Sequence, residues 1–321
     1  MDIHELINRH FESIGWDIEP HNLYDPIAYT LEAGGKRIRP TLVLMACRLF
    51  GGDVEKALMP ATAIEVFHNF TLLHDDVMDN ADTRRKRMTV HKKWDVNTAI
   101  LSGDAMMIKA YQFLENVPAD KLPAALSLFS RTAIEVCEGQ QYDVDFERRD
   151  DVTIEEYYRM IRLKTAVLLA GSLKLGAILA DAPADDADAL YDFGIAIGIA
   201  FQLRDDYLDV YGDERTFGKK IGGDILCGKR TFLLINALKN GSVSQRQTIC
   251  QLLKNGGIPA EEKIAAVTAI YDSLDMPKVC ADAMEEYYSR AMQALSRITD
   301  KDDAEKAPFV EFARSLMGRT E

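Results

Sequence analysis

The chain has 321 residues, enough for one large domain or two small ones, and 47% of them are hydrophobic, which is ample for a buried core. Its net charge of −13 argues against nucleic acid as the main partner. The five cysteines are widely spaced and form no Cys-x-x-Cys pair, which argues against a disulfide framework or a zinc site and fits a reducing compartment.

The N-terminus gives no sign of a secretory signal, because its first five residues are acidic and polar. The stretch from Phe193 to Leu203 is uncharged and mostly apolar, but it is shorter than the ~20 residues that cross a bilayer. We therefore predict a cytoplasmic protein without a transmembrane segment. Only 10 prolines and no repetitive tract argue against a linker, so we expect a single domain over residues 1–321.

Helical periodicity dominates the chain, and the two-residue alternation of strands is nearly absent. The first half predicts helices over Leu23–Ala33, Thr41–Phe50, Asp53–Met78, Asp95–Leu114 and Leu122–Glu138. The second half predicts a capping box at Thr153 and Glu156 before an apolar run to Ala180, a helix over Asp186–Tyr211, and four more helices from Thr231 to Met317. The predicted fold is an all-α bundle of roughly ten or more helices.

Two Asp-Asp-x-x-Asp motifs end apolar helical stretches, at Asp75–Asp79 and Asp205–Asp209. On a helix, the first and last aspartates of each motif lie one turn apart, where like charges repel unless a cation binds there. Carboxylates suit Mg²⁺, which usually completes its coordination with water and substrate phosphate. The two motifs therefore predict a cage of several Mg²⁺ ions around a diphosphate.

Two basic groups accompany these acids. Gly34–Pro40 reads Gly-Gly-Lys-Arg-Ile-Arg-Pro, and Arg84–Arg87 lies five residues beyond Asp79. Taken alone, the first would be a helix end with favourable dipole contacts and the second a solvated loop. A diphosphate needs direct Arg or Lys contacts as well as metal, and guanidinium groups match phosphate oxygens. Basic groups beside acidic ones therefore favour a metal–diphosphate site.

Together these motifs resemble those of the trans-isoprenyl diphosphate synthases, the family of farnesyl and geranylgeranyl diphosphate synthases. The basic and aspartate motifs, Gly139-Gln140-x-x-Asp143, Lys164-Thr165 and Gly228-Lys229-Arg230-Thr231 follow the family's order over residues 25–234. The resemblance implies helices around a central cavity and a homodimer. One departure is Lys86-Arg87-Met88, where the family usually has Gly-x-Pro.

The resemblance also implies roles for individual residues. Two Mg²⁺ ions are expected on Asp75 and Asp79, with Asp76 nearby, and a third on Asp205, supported by Asp206 and Asp209. The residues expected to contact the allylic diphosphate are Arg84, Lys164, Thr165, Gln202, Lys219 and Lys229. Those expected to bind the diphosphate of isopentenyl diphosphate are Lys36, Arg39, His68 and Arg85. The residues expected to line the cavity are Gln140 and Asp143.

The implied reaction condenses isopentenyl diphosphate with dimethylallyl, geranyl or farnesyl diphosphate. Positive charge around the departing diphosphate promotes ionisation, the double bond of isopentenyl diphosphate attacks the allylic cation, and proton loss completes a five-carbon extension. Lys164 and the backbone carbonyl of Thr165 are expected to steady the cation. The protein itself need not supply a nucleophile or a general base.

Product length is expected to depend on residues just before the first aspartate motif. In the family, the fifth and fourth positions before it form the tunnel floor; here they are Phe70 and Thr71. Bulk at the fifth position alone resembles geranylgeranyl synthases, and Phe67 is a further obstruction. We expect fifteen to twenty carbons, with twenty favoured. Without the resemblance, both phenylalanines would be interpreted as core aromatics.

Two other functions remain open at this point. A terpene cyclase also ionises a prenyl diphosphate at aspartate-rich metal sites, but it needs no second diphosphate site of the kind implied by Lys36, Arg39, His68 and Arg85. A non-catalytic regulatory subunit of a prenyl synthase would tend to lose the aspartates, and all six are present here.

Overall fold

The computed structural model describes residues 2–213, 221–254 and 257–318, and nearly all of their regular structure is helical. The chain divides into two compact units, one of Met1–Ser130 with Gly171–Leu190 and the other of Arg131–Ala170 with Tyr191–Glu321. The predicted all-α class is confirmed, while the single domain over residues 1–321 stays a prediction. Within the described ranges, no helix combines the length and apolar character needed to cross a bilayer.

The helices of the first half of the chain are α1 (Ile3–Ser13), α2 (His21–Glu32), α3 (Ile38–Leu49), α4 (Leu58–Met78), α5 (Val90–Lys93), α6 (Val96–Leu114) and α7 (Leu122–Phe146). Those that follow are α8 (Ile154–Ile161), a π-helical turn (Arg162–Ala166), α9 (Val167–Leu179), α10 (Ala184–Tyr211), α11 (Gly223–Cys227), α12 (Phe232–Asn240), α13 (Val243–Lys254), α14 (Ala260–Ser273), α15 (Met276–Ser296) and α16 (Asp303–Leu316).

Helix α4 is the central element of the first unit, with α2, α3 and α6 packed against it. Its residues from Pro60 to Phe67 are all buried, which explains their nearly continuous apolar character. Gly103 of α6 allows a close approach, because a Cβ there would lie 2.2 Å from Nε2 of His74. The helix begins at Leu58 rather than at the predicted Asp53, and it ends at Met78 as predicted.

A small β-hairpin follows α4, although the sequence shows almost no strand alternation. Strands β1 (Thr83–Arg84) and β2 (Arg87–Met88) are antiparallel, with Thr83 opposite Met88 and Arg84 opposite Arg87. The two residues between them have left-handed φ angles, 51° for Arg85 and 63° for Lys86. This is the backbone of a two-residue primed turn, which Asn-Gly or Gly-Gly usually forms. Two-residue strands are too short for a period to be visible.

The second unit is built around a buried cluster of apolar side chains. It includes Tyr157, Phe232, Leu233, Ile249, Tyr271 and Cys280. The predicted capping box of Thr153 and Glu156 begins α8. Over the described part of residues 231–317 the structure has five helices, α12 to α16, rather than the four predicted.

Two predicted helices in the middle of the chain differ from the structure. The apolar run to Ala180 is interrupted by the π-helical turn and ends at Leu179, and α7 continues past Glu138 to Phe146. Both differences meet at Gly139, where a Cβ would lie 2.2 Å from the backbone nitrogen of Lys164. The glycine therefore serves close packing inside α7 instead of ending the helix.

Candidate functional site

The first aspartate motif occupies the end of α4. Asp75 is half-buried, Asp76 is buried, and Asp79 is exposed just beyond the helix, where its N–H still donates to the Asp75 carbonyl at 2.8 Å. Oδ1 of Asp76 accepts from Nε of Arg84 at 2.7 Å. Burial raises the pKa of the Asp76 carboxyl, and the Arg84 guanidinium opposes that shift. Asp76 thus holds Arg84 beside the motif, and Asp75 and Asp79 present the more open carboxylates.

A second, cationic cluster surrounds His68 in the same unit. Nη1 of Arg39 lies 3.0 Å from Nε2 of His68. Burial, followed by repulsion from Arg39, Arg85, Arg84 and Arg37, lowers the pKa of His68 well below its usual value. His68 is therefore neutral near pH 7, and because Arg39 can only donate, Nε2 accepts and Nδ1 carries the proton. His68 then offers its Nδ1–H as a donor.

The four arginines around His68 outnumber the carboxylates that pair with them, which are Glu65 on Arg37 and Asp76 on Arg84. Burial lowers the pKa of Arg39 to about 10, and Glu65 is the carboxylate that opposes this shift. Glu65 already binds Arg37, whose Nη1 donates to its Oε1 at 2.7 Å. Nε of Arg39 is buried and has no hydrogen-bond partner. An excess of guanidinium groups with one buried, unused donor fits a bound anion such as a diphosphate.

Arg37 and Lys36 have different surroundings from Arg39. Nη2 of Arg37 donates to the Leu31 carbonyl at 2.6 Å, and its Cζ lies 4.5 Å from the centre of the Phe11 ring. Arg37 is therefore a structural member of the basic motif. Lys36 is exposed on the turn that precedes α3.

The hairpin brings the two basic groups of the sequence together. Nη1 of Arg85 donates to the Gly34 carbonyl, and a Cβ on Gly35 would lie 2.9 Å from Cζ of Arg85. Gly35 has a φ of 136°, so both its backbone and its lack of a side chain are needed there. The structure thus brings Arg85 next to the Gly34–Pro40 motif. The two basic groups must lie this close together if they bind the same anion.

The predicted chain-length residues lie in an aromatic cluster of the first unit. The ring centres of Phe67 and Phe70 are 5.6 Å apart, and Phe67 also contacts Phe129 at 5.5 Å. Tyr111 packs edge-on against Phe129 at 5.0 Å. No local pattern pointed to Phe129 or Tyr111, because they lie on other helices, α7 and α6. Thr71 donates its hydroxyl to the His68 carbonyl at 2.8 Å within α4.

The second aspartate motif, in the second unit, is anchored by Asp206. Its Oδ2 accepts from the hydroxyl of Tyr157 at 2.7 Å and from the Phe232 N–H at 2.9 Å, and its Oδ1 accepts from Nε2 of Gln202 at 3.1 Å. Burial, reinforced by nearby Asp224, raises the pKa of Asp206 to about 7. Asp206 therefore ties α8, α10 and α12 together.

The other two aspartates of this motif differ in exposure. Asp209 is buried, and its Oδ2 accepts from the Asp224 N–H at 3.0 Å at the start of α11. Asp205 is half-buried and lies beside Arg204 in sequence. Asp205 is thus the more open carboxylate of the second motif, as a metal ligand must be.

Lys164 is positioned by the π-helical turn and by Asp143. Nζ of Lys164 donates to Oδ2 of Asp143 at 2.5 Å, and Nζ of Lys229 lies 3.7 Å from the same oxygen. Burial alone would raise the pKa of Asp143, but Lys229 and Lys164 together outweigh it and hold that pKa below its usual value. Single-turn π segments are frequent at functional sites.

Thr165 and Gln202 connect the π-helical turn to Asp206. The hydroxyl of Thr165 donates to Oε1 of Gln202 at 3.2 Å, and Gln202 in turn donates to Asp206. Gln140 lies on α7 with a half-buried side chain, one residue after Gly139. Lys219, which was predicted to contact the allylic diphosphate, lies outside the described residues.

The carboxylates of the two aspartate motifs are the ligand type that Mg²⁺ prefers, although they do not form a complete set of ligands. Within the described ranges, no three or more His, Cys, Asp or Glu side chains are grouped as a metal site. Mg²⁺ commonly takes one or two carboxylates and fills its remaining positions with water and substrate phosphate. The open carboxylates Asp75, Asp79 and Asp205 suit that mode of binding, which stays a prediction.

The comparisons with known proteins identify the family. The family model described as polyprenyl synthetase matches residues 20–273. The chain belongs to the polyprenyl synthetase family. This confirms the predicted resemblance and the predicted enzyme class, a transferase of prenyl groups.

Several relatives of this polyprenyl synthetase cover most of both chains. It is 38% identical to a short chain isoprenyl diphosphate synthase of Methanothermobacter thermautotrophicus, over 90% of this chain and 92% of that one. The chain is also 38% identical to a geranylgeranyl diphosphate synthase of Methanosarcina mazei, over 94% of this chain and 90% of that one. A geranylfarnesyl diphosphate synthase of Natronomonas pharaonis is 40% identical over 70% of this chain and 71% of its own.

Solved structures agree with this family membership. A geranylgeranyl pyrophosphate synthase superposes with a TM-score of 0.94 at 43% identity, over 99% of this chain and 98% of that one. A polyprenyl synthase from Caulobacter crescentus, complexed with calcium and isoprenyl diphosphate, has a TM-score of 0.87 at 26% identity, over 99% and 95%.

Proposed function

We propose that this protein is a short-chain prenyl diphosphate synthase that joins isopentenyl diphosphate to an allylic diphosphate. The observation that carries the proposal is the half-buried cluster of Arg39 and His68, with Arg85 nearby and an excess of positive charge. Asp76 of the aspartate motif binds Arg84, whereas His68 contacts Arg39 and Arg85 binds the Gly34 carbonyl, so this cluster supports a second diphosphate site. An enzyme that acts on one prenyl diphosphate has no use for it.

Each diphosphate is proposed to have its own set of side chains. For isopentenyl diphosphate these are Lys36, Arg39, His68 and Arg85. For the allylic diphosphate they are Arg84, Lys164, Thr165, Gln202, Lys219 and Lys229. The fixed hydrogen bonds of Arg84 to Asp76 and of Lys164 to Asp143 support these roles, because groups oriented before binding lose less entropy when they bind.

We further propose three Mg²⁺ ions, two on Asp75 and Asp79 and one on Asp205. When bound, Mg²⁺ supplies positive charge that offsets the charge developing on the departing diphosphate. The calcium complex of the Caulobacter crescentus relative supports the use of a divalent ion. Asp76, Asp206 and Asp209 are proposed to act through the groups that they hold, since their carboxylates already accept hydrogen bonds.

The proposed reaction needs no nucleophile from the protein. The allylic carbon–oxygen bond breaks, the double bond of isopentenyl diphosphate attacks the resulting cation, and the proton then lost passes to the released diphosphate. Lys164 and the backbone carbonyl of Thr165 steady the cation. Water must be excluded from the active site, because it would react with the cation.

The proposed product is a linear all-trans chain of fifteen to twenty carbons, with twenty favoured. The contact of Phe67 and Phe70, with Phe129 behind Phe67, supports a tunnel floor made of aromatic rings. The names of the relatives include both geranylgeranyl and geranylfarnesyl diphosphate synthases, so family membership alone does not set the product length.

We also propose a cytoplasmic homodimer. All five cysteines are free, which supports a reducing compartment. Helix α6 exposes large apolar side chains, among them Ile100 at 41%, Leu101 at 59% and Ile108 at 59%. Exposed apolar surface of this kind is typical of protein interfaces, and a second copy of the chain is the occupant that the family resemblance implies.

Release of diphosphate tests the proposed function against its alternatives. With Mg²⁺ present, the protein should release diphosphate only when an allylic diphosphate and isopentenyl diphosphate are both supplied. Release from the allylic substrate alone, with a cyclic hydrocarbon formed, would favour a terpene cyclase. No release with either substrate or with both would favour a regulatory subunit.

A further inference from the structure

The hairpin that carries Arg84 and Arg85 has a strained turn. Both central residues, Arg85 and Lys86, have left-handed φ angles of 51° and 63°, and neither is glycine. Such backbone conformations are unfavourable for residues with a Cβ and persist only when surrounding contacts impose them. Contacts outside the turn must therefore hold the hairpin in this shape.

Tyr29 of α2 supplies several of those contacts. Its hydroxyl donates to the carbonyl of Met88 at 2.9 Å. Arg87 lies with Cζ 4.1 Å from the centre of the Tyr29 ring, and its Nη1 donates to the Tyr29 carbonyl at 3.3 Å. One tyrosine thus contacts both residues of strand β2.

The ring of Tyr29 also contacts the segment that follows the hairpin. Nζ of Lys93, at the end of α5, lies 3.9 Å from the centre of the Tyr29 ring and 4.5 Å from that of Trp94. The rings of Tyr29 and Trp94 meet edge to face with their centres 5.3 Å apart. Two cations and one aromatic ring therefore surround Tyr29, an arrangement that cation–π attraction stabilises.

The strand pairing carries this constraint to the diphosphate-binding side. Arg87 is the direct partner of Arg84, and Met88 is the partner of Thr83. Arg85 is tied to the Gly34 carbonyl, just beyond the end of the helix that carries Tyr29. Fixing β2 on Tyr29 consequently limits where the guanidinium groups of Arg84 and Arg85 can lie.

We propose that Tyr29, together with Arg87 and Lys93, clamps the hairpin and so orients Arg84 and Arg85 for the two diphosphates. The inference rests on the proposed function, because that function assigns the two arginines to the substrates. Tyr29 is a positioning residue. Its removal should weaken diphosphate binding more than it slows turnover. Without Tyr29 the arginines lose their conformational entropy only when the diphosphate binds, which reduces the free energy of binding.

Steady-state kinetics of three variants test the clamp. Tyr29→Leu should raise KM for isopentenyl diphosphate about tenfold with kcat changed less than about threefold. Tyr29→Phe keeps the ring but loses the bond to Met88, so KM should rise only about threefold. Tyr24→Leu is the matched control, because Tyr24 lies on the same helix and its ring faces Lys109 at 5.9 Å. Equal KM values for the Tyr24 and Tyr29 variants would overturn the proposal.

A double-mutant cycle with Lys86→Gly separates positioning from general destabilisation. Glycine adopts a left-handed φ without strain, so the turn should depend less on the clamp. The effect of Tyr29→Leu on KM should fall from about tenfold to about threefold in the Lys86→Gly background. Strictly additive effects would show that Tyr29 does not act through the turn.

Binding of inorganic diphosphate distinguishes failure of the clamp from failure of the proposed function. Calorimetry should show about tenfold weaker binding to Tyr29→Leu than to the unmodified chain, and unchanged binding to Tyr24→Leu. If the unmodified protein makes no prenyl product but this difference is present, the proposed function fails and the clamp stands. If it makes product but the difference is absent, only the clamp fails.

Discussion

At the scale of single residues, the surroundings of a carboxylate rather than its place in a motif separate its roles. Asp206 accepts three hydrogen bonds in a buried position, whereas Asp205 beside it is half-buried. Asp76 is buried against Arg84, whereas Asp75 and Asp79 are more open. A metal ligand needs access to solvent and substrate, so this difference in exposure supports the predicted ligands Asp75, Asp79 and Asp205.

We therefore expect Asp75→Ala and Asp205→Ala each to lower turnover at least about a hundredfold, because each removes charge that offsets the departing diphosphate. Circular dichroism should show the helices intact. Asp185→Ala is the matched control, since this exposed aspartate lies in the first turn of α10 and should not affect turnover. Near-normal turnover in both motif variants would refute the metal cage.

The aromatic cluster makes a separate prediction about product length. Phe70→Ala removes a ring packed against Phe67, so the product should lengthen by at least one five-carbon unit. Mass spectrometry of the extracted products measures this directly. Phe193→Leu alters a fully buried phenylalanine of the other unit and should leave the length unchanged. The same length from Phe70→Ala would show that Phe70 is not the tunnel floor.

At the scale of secondary-structure elements, a glycine on α7 sets the position of Lys164. Gly139→Ala would place a Cβ 2.2 Å from the Lys164 backbone nitrogen. We expect it to lower the free energy of unfolding by about 1–3 kcal/mol through overpacking, and to reduce turnover as the π-helical turn shifts. Gly15→Ala, where nothing lies within 4 Å, should change neither. Thermal unfolding and turnover of the two variants should be measured in parallel. Equal unfolding temperatures and turnover would show that Gly139 does not set the position of Lys164.

Helical periodicity predicted α4 and α10 well, because both are long and strongly apolar, and with them the two aspartate motifs. It missed the π-helical turn, whose residue Lys164 packs closely against Gly139 of another helix, a contact that the local pattern does not reveal. It also missed α1, a short polar-rich helix whose few buried residues include Leu6 and Ile7.

The motifs predicted which residues take part in the reaction, but not which residues position them. Asp206 is bound by Tyr157, 49 residues away, and Tyr29 reaches Met88 across 59 residues. Contacts between positions so far apart leave no local signal in one sequence. The positioning groups of both units therefore became visible only in the structure.

At the scale of the whole molecule, the exposed apolar side of α6 predicts the oligomeric state. Leu101→Glu should convert the proposed dimer to a monomer, because a charge at an apolar interface is left without a partner. Sedimentation velocity measures the oligomeric state of the variant. Val243→Glu is the control, since Val243 is 62% exposed, close to the 59% of Leu101, but lies on α13. A dimer that survives Leu101→Glu unchanged would exclude this side of α6 as the interface.

The most direct test of the proposed function is the identity of the product. The purified protein would be incubated with Mg²⁺, isopentenyl diphosphate and, in turn, dimethylallyl, geranyl and farnesyl diphosphate, and the products identified by mass. We expect linear chains that grow in five-carbon steps and stop at twenty carbons. Failure to extend any of the three starters would contradict it.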